Sequence, residues 1–214
     1  MAFVPRLSTS SPTQMLDNPW WYSTASNPYL GWYNRFTNTG NGLPNCTCYA
    51  YGRYAEIRNH WESSMLPRGD AGSWYLQATD PNSEFYIGAG NFGQVPQLGA
   101  VICWGDPNAV YNSNWIAVSG YAGHVAIVER ITYGTGGVIQ SITTSNSAYG
   151  GSYFYTSTIN RYNSMFPNDQ YHISYHNNAY RTQGFIYNEN SQPPVPPPAS
   201  RRKMPLWMML HYGI

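Results

Sequence analysis

Three apolar runs separated by turn residues occupy the middle of the chain. The runs are residues 97–105, 123–131 and 137–146. Apolar runs of this length, bounded by Gly, Asp and Asn, are typical of strands buried in a sheet. The glycine-rich turn at residues 133–137 joins the second run to the third and predicts an antiparallel hairpin. Weaker strand candidates follow at residues 153–157 and 185–187.

A helical pattern precedes these runs. From Thr47 onwards, the residues Ala50, Tyr54, Ile57 and Trp61 recur at spacings of four, three and four. Such spacing places side chains along one face of a helix. Because one helix is followed by an antiparallel sheet, we predict an α+β fold class.

The two ends of the chain differ from this central part, residues 41–190, which we predict to be one domain. Residues 1–40 carry four prolines among Ser, Thr, Asn and clustered Trp and Tyr, which predicts an irregular, aromatic-rich arm. The proline-rich residues 191–200 predict an extended linker. The apolar character of residues 201–214 predicts a tail that docks on another surface.

Composition excludes several classes of partner. Charged residues make up 10% of the 214 residues and the formal net charge is +1, which argues against nucleic acid or an anionic membrane surface. No apolar stretch approaches the roughly 18 residues of a membrane span, and none of signal-peptide length opens the chain. The 20 Tyr and 8 Trp suit a protein that stacks on sugars or packs into an extracellular or virion assembly. They suit an aromatic-rich β protein without such a role equally well.

Cys46 is the first candidate nucleophile, since it follows a loop-like run and opens the predicted helix. The unpaired N–H groups at a helix start favour a thiolate. Cys48 lies two residues further on, roughly 200° around a helix, so the two thiols cannot face one cleft. With Cys103, the chain has 3 cysteines, which cannot all pair and lack zinc-binding spacing. We therefore assign Cys48 and Cys103 to packing and predict no metal site.

His124 and Asn146 are candidates for the groups that assist such a thiol. His124 begins the second apolar run, and Asn146 ends the third, so a hairpin would bring the Asn amide near the imidazole. A capped histidine at a strand edge and a turn residue at a strand end are the alternative interpretations. Glu129 is a rival orienting group, but it lies five residues beyond His124 on the same strand and points to the opposite face.

Four motifs in order resemble the cysteine- and histidine-dependent amidohydrolase/peptidase (CHAP) family. The motifs are Asn45-Cys46-Thr47, the run 95–101, the run Gly123-His124-Val125-Ala126-Ile127-Val128-Glu129, and the run 142–146 that ends at Asn146. The resemblance implies a papain-like fold, in which a helix carrying the Cys packs on an antiparallel sheet carrying the His. It also implies that Cys46 is the nucleophile, His124 the general base and Asn146 the residue that orients the histidine. Cys48 departs from the pattern, because relatives often carry an aromatic residue there.

The same resemblance implies hydrolysis of an amide bond in peptidoglycan, without a cofactor. The bond would be either that between N-acetylmuramic acid and L-alanine or one in the stem peptide or cross-bridge. The backbone N–H of Cys46 would stabilise the oxyanion, and Asn41, Asn45 and Tyr149 are candidates for a second oxyanion or substrate contact. His172 and His176 stand four apart in a loop-like stretch with no carboxylate at metal-site spacing, so no zinc site is predicted.

We expect delivery by a bacteriophage, either as an endolysin made in the host cytoplasm before lysis or as a component of the virion tail. Residues 1–40 and 201–214 would then dock on other virion proteins. A structural virion protein or wall-binding protein with this fold and little or no hydrolysis is the alternative. A secreted bacterial enzyme that remodels the cell wall would need a signal peptide, which the sequence does not predict.

Overall fold

The fold is that of a computed structural model, which describes residues 3–8, 27–29, 42–59, 66–149, 151–161, 171, 173–175, 178–191 and 193. Its helices are α1 (Cys46–Arg58) and α2 (Trp74–Thr79), with 3-10 turns at Ala71–Ser73 and Thr135–Gly137. Its strands are β1 (Phe92–Gly93), β2 (Val101–Gly105), β3 (Val110–Tyr111), β4 (Ala117–Ser119), β5 (His124–Tyr133), β6 (Ile139–Asn146), β7 (Tyr155–Asn160), β8 (Ile173–Tyr175) and β9 (Asn178–Ile186).

Seven of the described strands form one antiparallel sheet in the order β1-β9-β2-β5-β6-β7, with β8 also paired to β9. The predicted hairpin is β5 and β6, joined at residues 134–138. β2 and β9 are neighbours although they are far apart in sequence. The sheet is therefore complete only when β9, near the end of the described chain, pairs with β2. The predicted α+β class is confirmed.

Helix α1 begins one residue earlier than the apolar pattern suggested and ends at Arg58. Asn45 caps its start, and Asn59, with φ 58°, ends it by donating its N–H to the carbonyls of Ala55 and Glu56. The predicted face of Ala50, Tyr54 and Ile57 is buried, but so are nearly all other residues of the helix. Helix α1 is therefore a central core helix and not an amphipathic surface helix, which explains why its pattern is weak. Trp61 lies outside the described residues.

The sheet has a hydrophobic cluster on each face. The α1 face packs Val101, Cys103, Val125, Ile127 and Ile186 against the helix and Trp74. The opposite face carries Ile102, Trp104, Ala126, Val128, Ile142, Ile159, Tyr171, Tyr180 and Phe185. Alternate residues of β2 and β5 therefore face different clusters, and both strands read as continuous apolar runs because both faces are covered.

A buried ion pair joins α1 to the sheet. Arg53 donates from Nε and Nη2 to Glu129 at 2.9 and 3.0 Å, and Ser145 Oγ donates to the same carboxylate at 2.7 Å. The side chain of Glu129 is 0% exposed and that of Arg53 is 6% exposed. Burying a carboxylate costs free energy unless it is paired and hydrogen-bonded, so these partners must stay in place.

The described N-terminal segment, residues 3–8, contacts this ion pair. The backbone N–H of Arg6 donates to Glu129 at 2.8 Å, and Arg53 Nη2 donates to the carbonyl of Val4 at 2.6 Å. Both members of the ion pair thus bond to the segment. The boundaries predicted at residues 40, 190 and 200 stay predictions, and residues 201–214 lie outside the described part of the chain.

Residues 27–29 also lie in the core. Tyr29 is 4% exposed, and its hydroxyl accepts a hydrogen bond from Trp74 Nε1 at 3.2 Å. Asn27 Nδ2 donates to the carbonyl of Cys48 at 3.0 Å, which joins this short stretch to α1. Gly42 follows with φ 73°, and a Cβ there would lie 2.3 Å from the carbonyl oxygen of Tyr29, so only glycine fits.

Among the described helices, none is long and apolar enough to cross a membrane. The stretch between β2 and β5 carries a small hairpin, because β3 pairs with β4 through Val110 and Ser119. This hairpin stands apart from the main sheet and leads directly to the start of β5.

Candidate active site

The candidate site lies where the start of α1 meets the start of β5 and the end of β6. The cap residue Asn45 accepts hydrogen bonds at its Oδ1 from the backbone N–H groups of Thr47, at 2.9 Å, and Cys48, at 3.4 Å. The backbone N–H of Asn45 donates to Ser147 Oγ at 3.0 Å. Ser147 directly follows Asn146, so the helix start is tied to the end of β6.

The thiol of Cys46 is the first side chain of α1 and lies against β5. The backbone N–H groups of Val125, Thr47 and Cys46 itself bond to the sulfur. Burial raises the pKa of the Cys46 thiol to about 11, against the opposing effect of these N–H groups, and the carboxylate of Asp70 raises it further. The Val125 contact matters most, because Val125 is the residue after His124.

The other two thiols are buried. All three cysteines are free, Cys46 reaches the surface in part, and Cys48 and Cys103 are each 0% exposed. Burial raises the pKa of both buried thiols well above the usual range. The expectation that Cys46 and Cys48 would have different surroundings agrees with this exposure.

His124 is hydrogen-bonded to Asn146. Its Nε2 lies 3.1 Å from Asn146 Oδ1, and the two residues are 3% and 2% exposed. Burial lowers the pKa of the His124 imidazole to about 4, and the bond to Asn146 opposes that effect. The imidazole is therefore neutral at pH 7, and the thiol, for the same physical reason, is protonated.

Trp104 covers the imidazole from the neighbouring strand. Trp104 and His124 are register partners in β2 and β5, and their rings stack with centroids 5.6 Å apart and planes 24° apart. The indole Nε1 donates to the carbonyl of Tyr171 at 2.6 Å, which holds the ring in place. This stack is one cause of the low exposure of His124.

Gly123 allows a close approach just before His124. It has φ 78°, and a Cβ at this position would lie 2.4 Å from both Cα and N of Gly72 and 2.6 Å from the carbonyl oxygen of Trp104. The N–H of Gly72 donates to the carbonyl of Ala122 at 2.7 Å. The backbone of the Gly72 turn therefore packs directly on the start of β5 and fixes the position of the His124 backbone.

Glu129 does not contact His124. Its carboxylate accepts four hydrogen bonds from three described residues, namely two from the side chain of Arg53, one from Ser145 Oγ and one from the backbone N–H of Arg6. The pairing register between β5 and β6 shifts around it, between Val128 and Arg130. The geometry thus gives Glu129 a part in holding α1 to the sheet.

The candidates for a second oxyanion or substrate contact differ in position. Asn45 commits its side-chain oxygen to the helix cap, so its amide nitrogen is the atom that could donate to substrate. Tyr149 is 45% exposed and follows β6 by three residues. Asn41 lies outside the described residues, as do His172 and His176. Over the described part of the chain, no group of three or more His, Cys, Asp or Glu side chains is placed to hold a metal ion.

The sequence reasoning missed three residues around the site, namely Trp104, Thr144 and Ser147. Trp104 lies in a run predicted as a buried strand, and nothing in the sequence shows that β2 pairs with β5 in the register that stacks its ring on His124. Thr144 and Ser147 flank Asn146, and the signal that could have found them is the density of hydroxyl residues in the run Thr143-Thr144-Ser145-Asn146-Ser147. Hydroxyl groups crowded at the end of a buried strand need partners.

Comparison with known protein families shows which family the chain belongs to. The CHAP domain family matches residues 37–148, a range that spans more than half of the chain and includes Cys46, His124 and Asn146. The chain therefore belongs to the CHAP domain family. Membership implies a cysteine- and histidine-dependent amidase or peptidase activity toward peptidoglycan in general. Searches of curated proteins and of solved structures gave no match.

Proposed function

We propose that this protein hydrolyses an amide bond of bacterial peptidoglycan, with Cys46 as the nucleophile, His124 as the general base and Asn146 as the residue that orients the imidazole. The observation that carries the proposal is the junction of three elements. The Cys46 thiol accepts a hydrogen bond from the residue after His124, and His124 Nε2 lies 3.1 Å from Asn146 Oδ1. The residues proposed as nucleophile, base and orienting group thus meet where α1 contacts one end of the neighbouring strands β5 and β6.

The protonation states favour general-base activation over a preformed ion pair. Burial raises the pKa of the Cys46 thiol to about 11 and lowers the pKa of the His124 imidazole to about 4. Both groups are then neutral at pH 7, so the thiol proton passes to His124 as the sulfur attacks. This differs from the thiolate that the position at a helix start alone predicts.

The reaction follows from these groups. The sulfur of Cys46 attacks the amide carbonyl, and its proton passes to His124. The backbone N–H of Cys46, which bonds to the sulfur in the resting state, would turn to the oxyanion, with Asn45 Nδ2 as a candidate second donor. The imidazolium protonates the leaving amine, which departs and leaves a thioester on Cys46. Water, deprotonated by His124, then hydrolyses the thioester and restores the thiol.

The proposal includes a phage origin and carriage in the virion, most simply at the tail. The aromatic-rich residues 1–40 and the apolar residues 201–214 support it, because both have the composition of segments that dock on neighbouring proteins. The test is peptide mapping of purified virions of the encoding phage. Peptides of this chain in stoichiometric amounts support carriage, and their absence from virions but presence in lysates indicates an endolysin.

Turbidity loss of purified Gram-positive cell walls tests the hydrolase. We expect wild type to clear walls, Cys46→Ala to be inactive, and Cys48→Ala to stay active, since Cys48 is fully buried in α1. Cys48→Ala is the matched control, because it removes a thiol two residues away on the same helix. Equal clearing by wild type and Cys46→Ala would rule Cys46 out as the nucleophile.

Mass spectrometry of the released fragments identifies the bond. A free N-terminal L-alanine on the stem peptide indicates an amidase, and a shortened stem peptide or an opened cross-bridge indicates an endopeptidase. If wild type releases no fragment from walls of several chemotypes but sediments with them, the alternative of a wall-binding protein with little hydrolysis replaces the hydrolase.

A further inference from the structure

We propose that Thr144 is a positioning residue that fixes the tautomer of His124 by orienting the side-chain amide of Asn146. The inference deepens the proposed function, on which it rests for its catalytic consequence. It begins from two hydrogen bonds that Asn146 makes within its own strand, and neither involves the imidazole.

The amide of Asn146 has a defined orientation. Its Nδ2 lies 3.2 Å from the carbonyl oxygen of Thr144 and 3.0 Å from Thr144 Oγ1. A carbonyl oxygen only accepts, so the NH₂ group of Asn146 must be on this side. Its Oδ1, which also only accepts, then faces His124. A flip of the amide would set Oδ1 against the carbonyl of Thr144, which is repulsive.

The hydroxyl of Thr144 has a defined direction as well. Its Oγ1 lies 3.4 Å from the carbonyl of Ser157, its register partner on β7, and that carbonyl can only accept. The hydroxyl proton therefore points to Ser157, and the Oγ1 lone pairs face Asn146. Thr144 is 0% exposed, so water cannot replace it as a partner.

These hydrogen-bond directions determine which ring nitrogen of His124 carries the proton. Because Asn146 Oδ1 accepts, the imidazole must carry its proton on Nε2 to make the 3.1 Å bond. The neutral ring then has its lone pair on Nδ1, which is the nitrogen that takes a proton from the thiol. A chain of hydrogen bonds with one donor-to-acceptor direction therefore connects Ser157 through Thr144 and Asn146 to His124, and it links β7 to the protonation state of the base.

The test compares Thr144→Val with Thr144→Ser. Valine keeps the shape and removes the hydroxyl, whereas serine keeps the hydroxyl. Thr143→Val is the matched control, because Thr143 is the adjacent residue and its hydroxyl bonds only across the strands to Thr158 Oγ1, at 3.1 Å, away from Asn146. We expect kcat on cell walls to fall about tenfold in Thr144→Val with KM unchanged. Thr144→Ser and Thr143→Val should stay within about twofold of wild type.

A direct readout uses ¹⁵N-labelled histidine in the protein without substrate, with the His124 signals assigned by their loss in His124→Gln. In wild type we expect a protonated Nε2 and an unprotonated Nδ1 at pH 7. Thr144→Val keeps the backbone carbonyl contact at 3.2 Å but loses the shorter Oγ1 contact at 3.0 Å, so both nitrogens should shift part of the way toward intermediate values, as partial tautomer exchange produces. In Thr144→Ser they should not shift. Unchanged shifts in Thr144→Val would overturn the proposal. This measurement needs no hydrolysis, so it separates failure of the chain of hydrogen bonds from failure of the proposed function.

A double-mutant cycle with Asn146→Ala locates the effect. If Thr144 acts through Asn146, adding Thr144→Val to Asn146→Ala should lower kcat no further. Additive losses would show that Thr144 acts by another route and would contradict the chain of hydrogen bonds. Equal losses in Thr143→Val and Thr144→Val would do the same, since they would mark a general disturbance of β6.

Discussion

At the scale of single residues, burial sets the chemistry of the candidate site. The helix start supplies N–H groups that favour a thiolate at Cys46, but the desolvation of the sulfur outweighs them, and its pKa rises to about 11. The same loss of water lowers the pKa of His124 to about 4. Position in a helix thus indicates which cysteine can act, whereas the surrounding packing decides in which protonation state it rests.

The pH dependence of alkylation tests this resting state. Iodoacetamide reacts with thiolate, so with a thiol pKa of about 11 the rate at Cys46 should rise about tenfold per pH unit from pH 7 to 10. Peptide mapping should find label at Cys46 and none at the buried Cys48 and Cys103 in the folded protein. A plateau below pH 8 would indicate a preformed thiolate–imidazolium pair instead.

His124 should also make stability depend on pH. Its pKa is lowered to about 4 in the folded protein, below the value of 6.5 expected on unfolding. The unfolded chain therefore binds the proton first as pH falls, and stability present above pH 6.5 is lost between pH 6.5 and 4. Between pH 7 and 4.5, wild type should lose about 2 kcal/mol more than His124→Gln in urea unfolding. Equal losses would show that His124 is not buried in its neutral form.

At the scale of elements, close backbone contacts determine where the strands and turns can begin. Gly123 and Gly136 have nearly the same φ, 78° and 77°, but differ in their surroundings. A Cβ on Gly123 would lie 2.4 Å from the Gly72 backbone, whereas a Cβ on Gly136 meets no atom within 4 Å. Substituting alanine at each glycine therefore separates two free-energy costs: that of a left-handed backbone alone, at Gly136, and that of the same backbone plus a Cβ collision, at Gly123.

We expect Gly136→Ala to lower the free energy of unfolding by about 1 kcal/mol, which is the conformational cost alone. Gly123→Ala should lower it by about 3 kcal/mol or more, because the Gly72 turn must move. Equilibrium urea unfolding of the two variants and wild type measures both differences. If the two variants lose the same amount, the Gly72 turn is not packed tightly on the start of β5.

Local pattern predicted the elements well, and the contacts between them poorly. The apolar runs predicted at residues 97–105, 123–131 and 137–146 contain most of β2, β5 and β6. The turn predicted between the last two runs led to the observed neighbours His124 and Asn146. The stack of Trp104 on His124 depends on the pairing of β2 with β5. That pairing, like the return of β9 to β2, joins segments that a periodicity argument treats separately.

The burial of α1 shows a second limit of pattern. The apolar spacing indicates one face of α1, but polar residues such as Arg53 and Thr47 are also buried in the helix, where polar partners satisfy them. Their partners, Glu129 and Asn45, cannot be recognised as such in the sequence. Buried polar residues therefore weaken the apolar pattern of a central helix.

At the scale of the whole molecule, the described N-terminal segment, residues 3–8, stabilises the contact between α1 and β5. It contributes an N–H to the buried Glu129, a carbonyl to Arg53, and the ring of Phe3, which lies 5.7 Å from the Arg53 guanidinium. The side chains of the Arg53–Glu129 ion pair are 6% and 0% exposed. Removing the segment would therefore leave this buried pair with fewer hydrogen-bond partners.

Deleting residues 1–8 should lower the free energy of unfolding by about 3 kcal/mol, because a buried charged pair loses hydrogen bonds. Arg6→Ala is the control, since it keeps the backbone N–H on Glu129 and removes the side-chain pair with Glu56, at 2.9 and 3.2 Å, in which the side chains are 20% and 21% exposed. That variant should lose less than about 1 kcal/mol. Similar losses in both would show that the backbone contacts of the segment contribute little.

The bond from the N–H of Asn45 to Ser147 closes a loop of 102 residues. Contacts of such long sequence separation form late, because the chain must lose much conformational entropy before they are made. In a refolding chain the contact between α1 and the end of β6 should therefore be among the last to form, and until it forms Cys46 lies apart from the His124–Asn146 pair. The order of folding itself keeps an unfinished chain from carrying a complete Cys46–His124–Asn146 set.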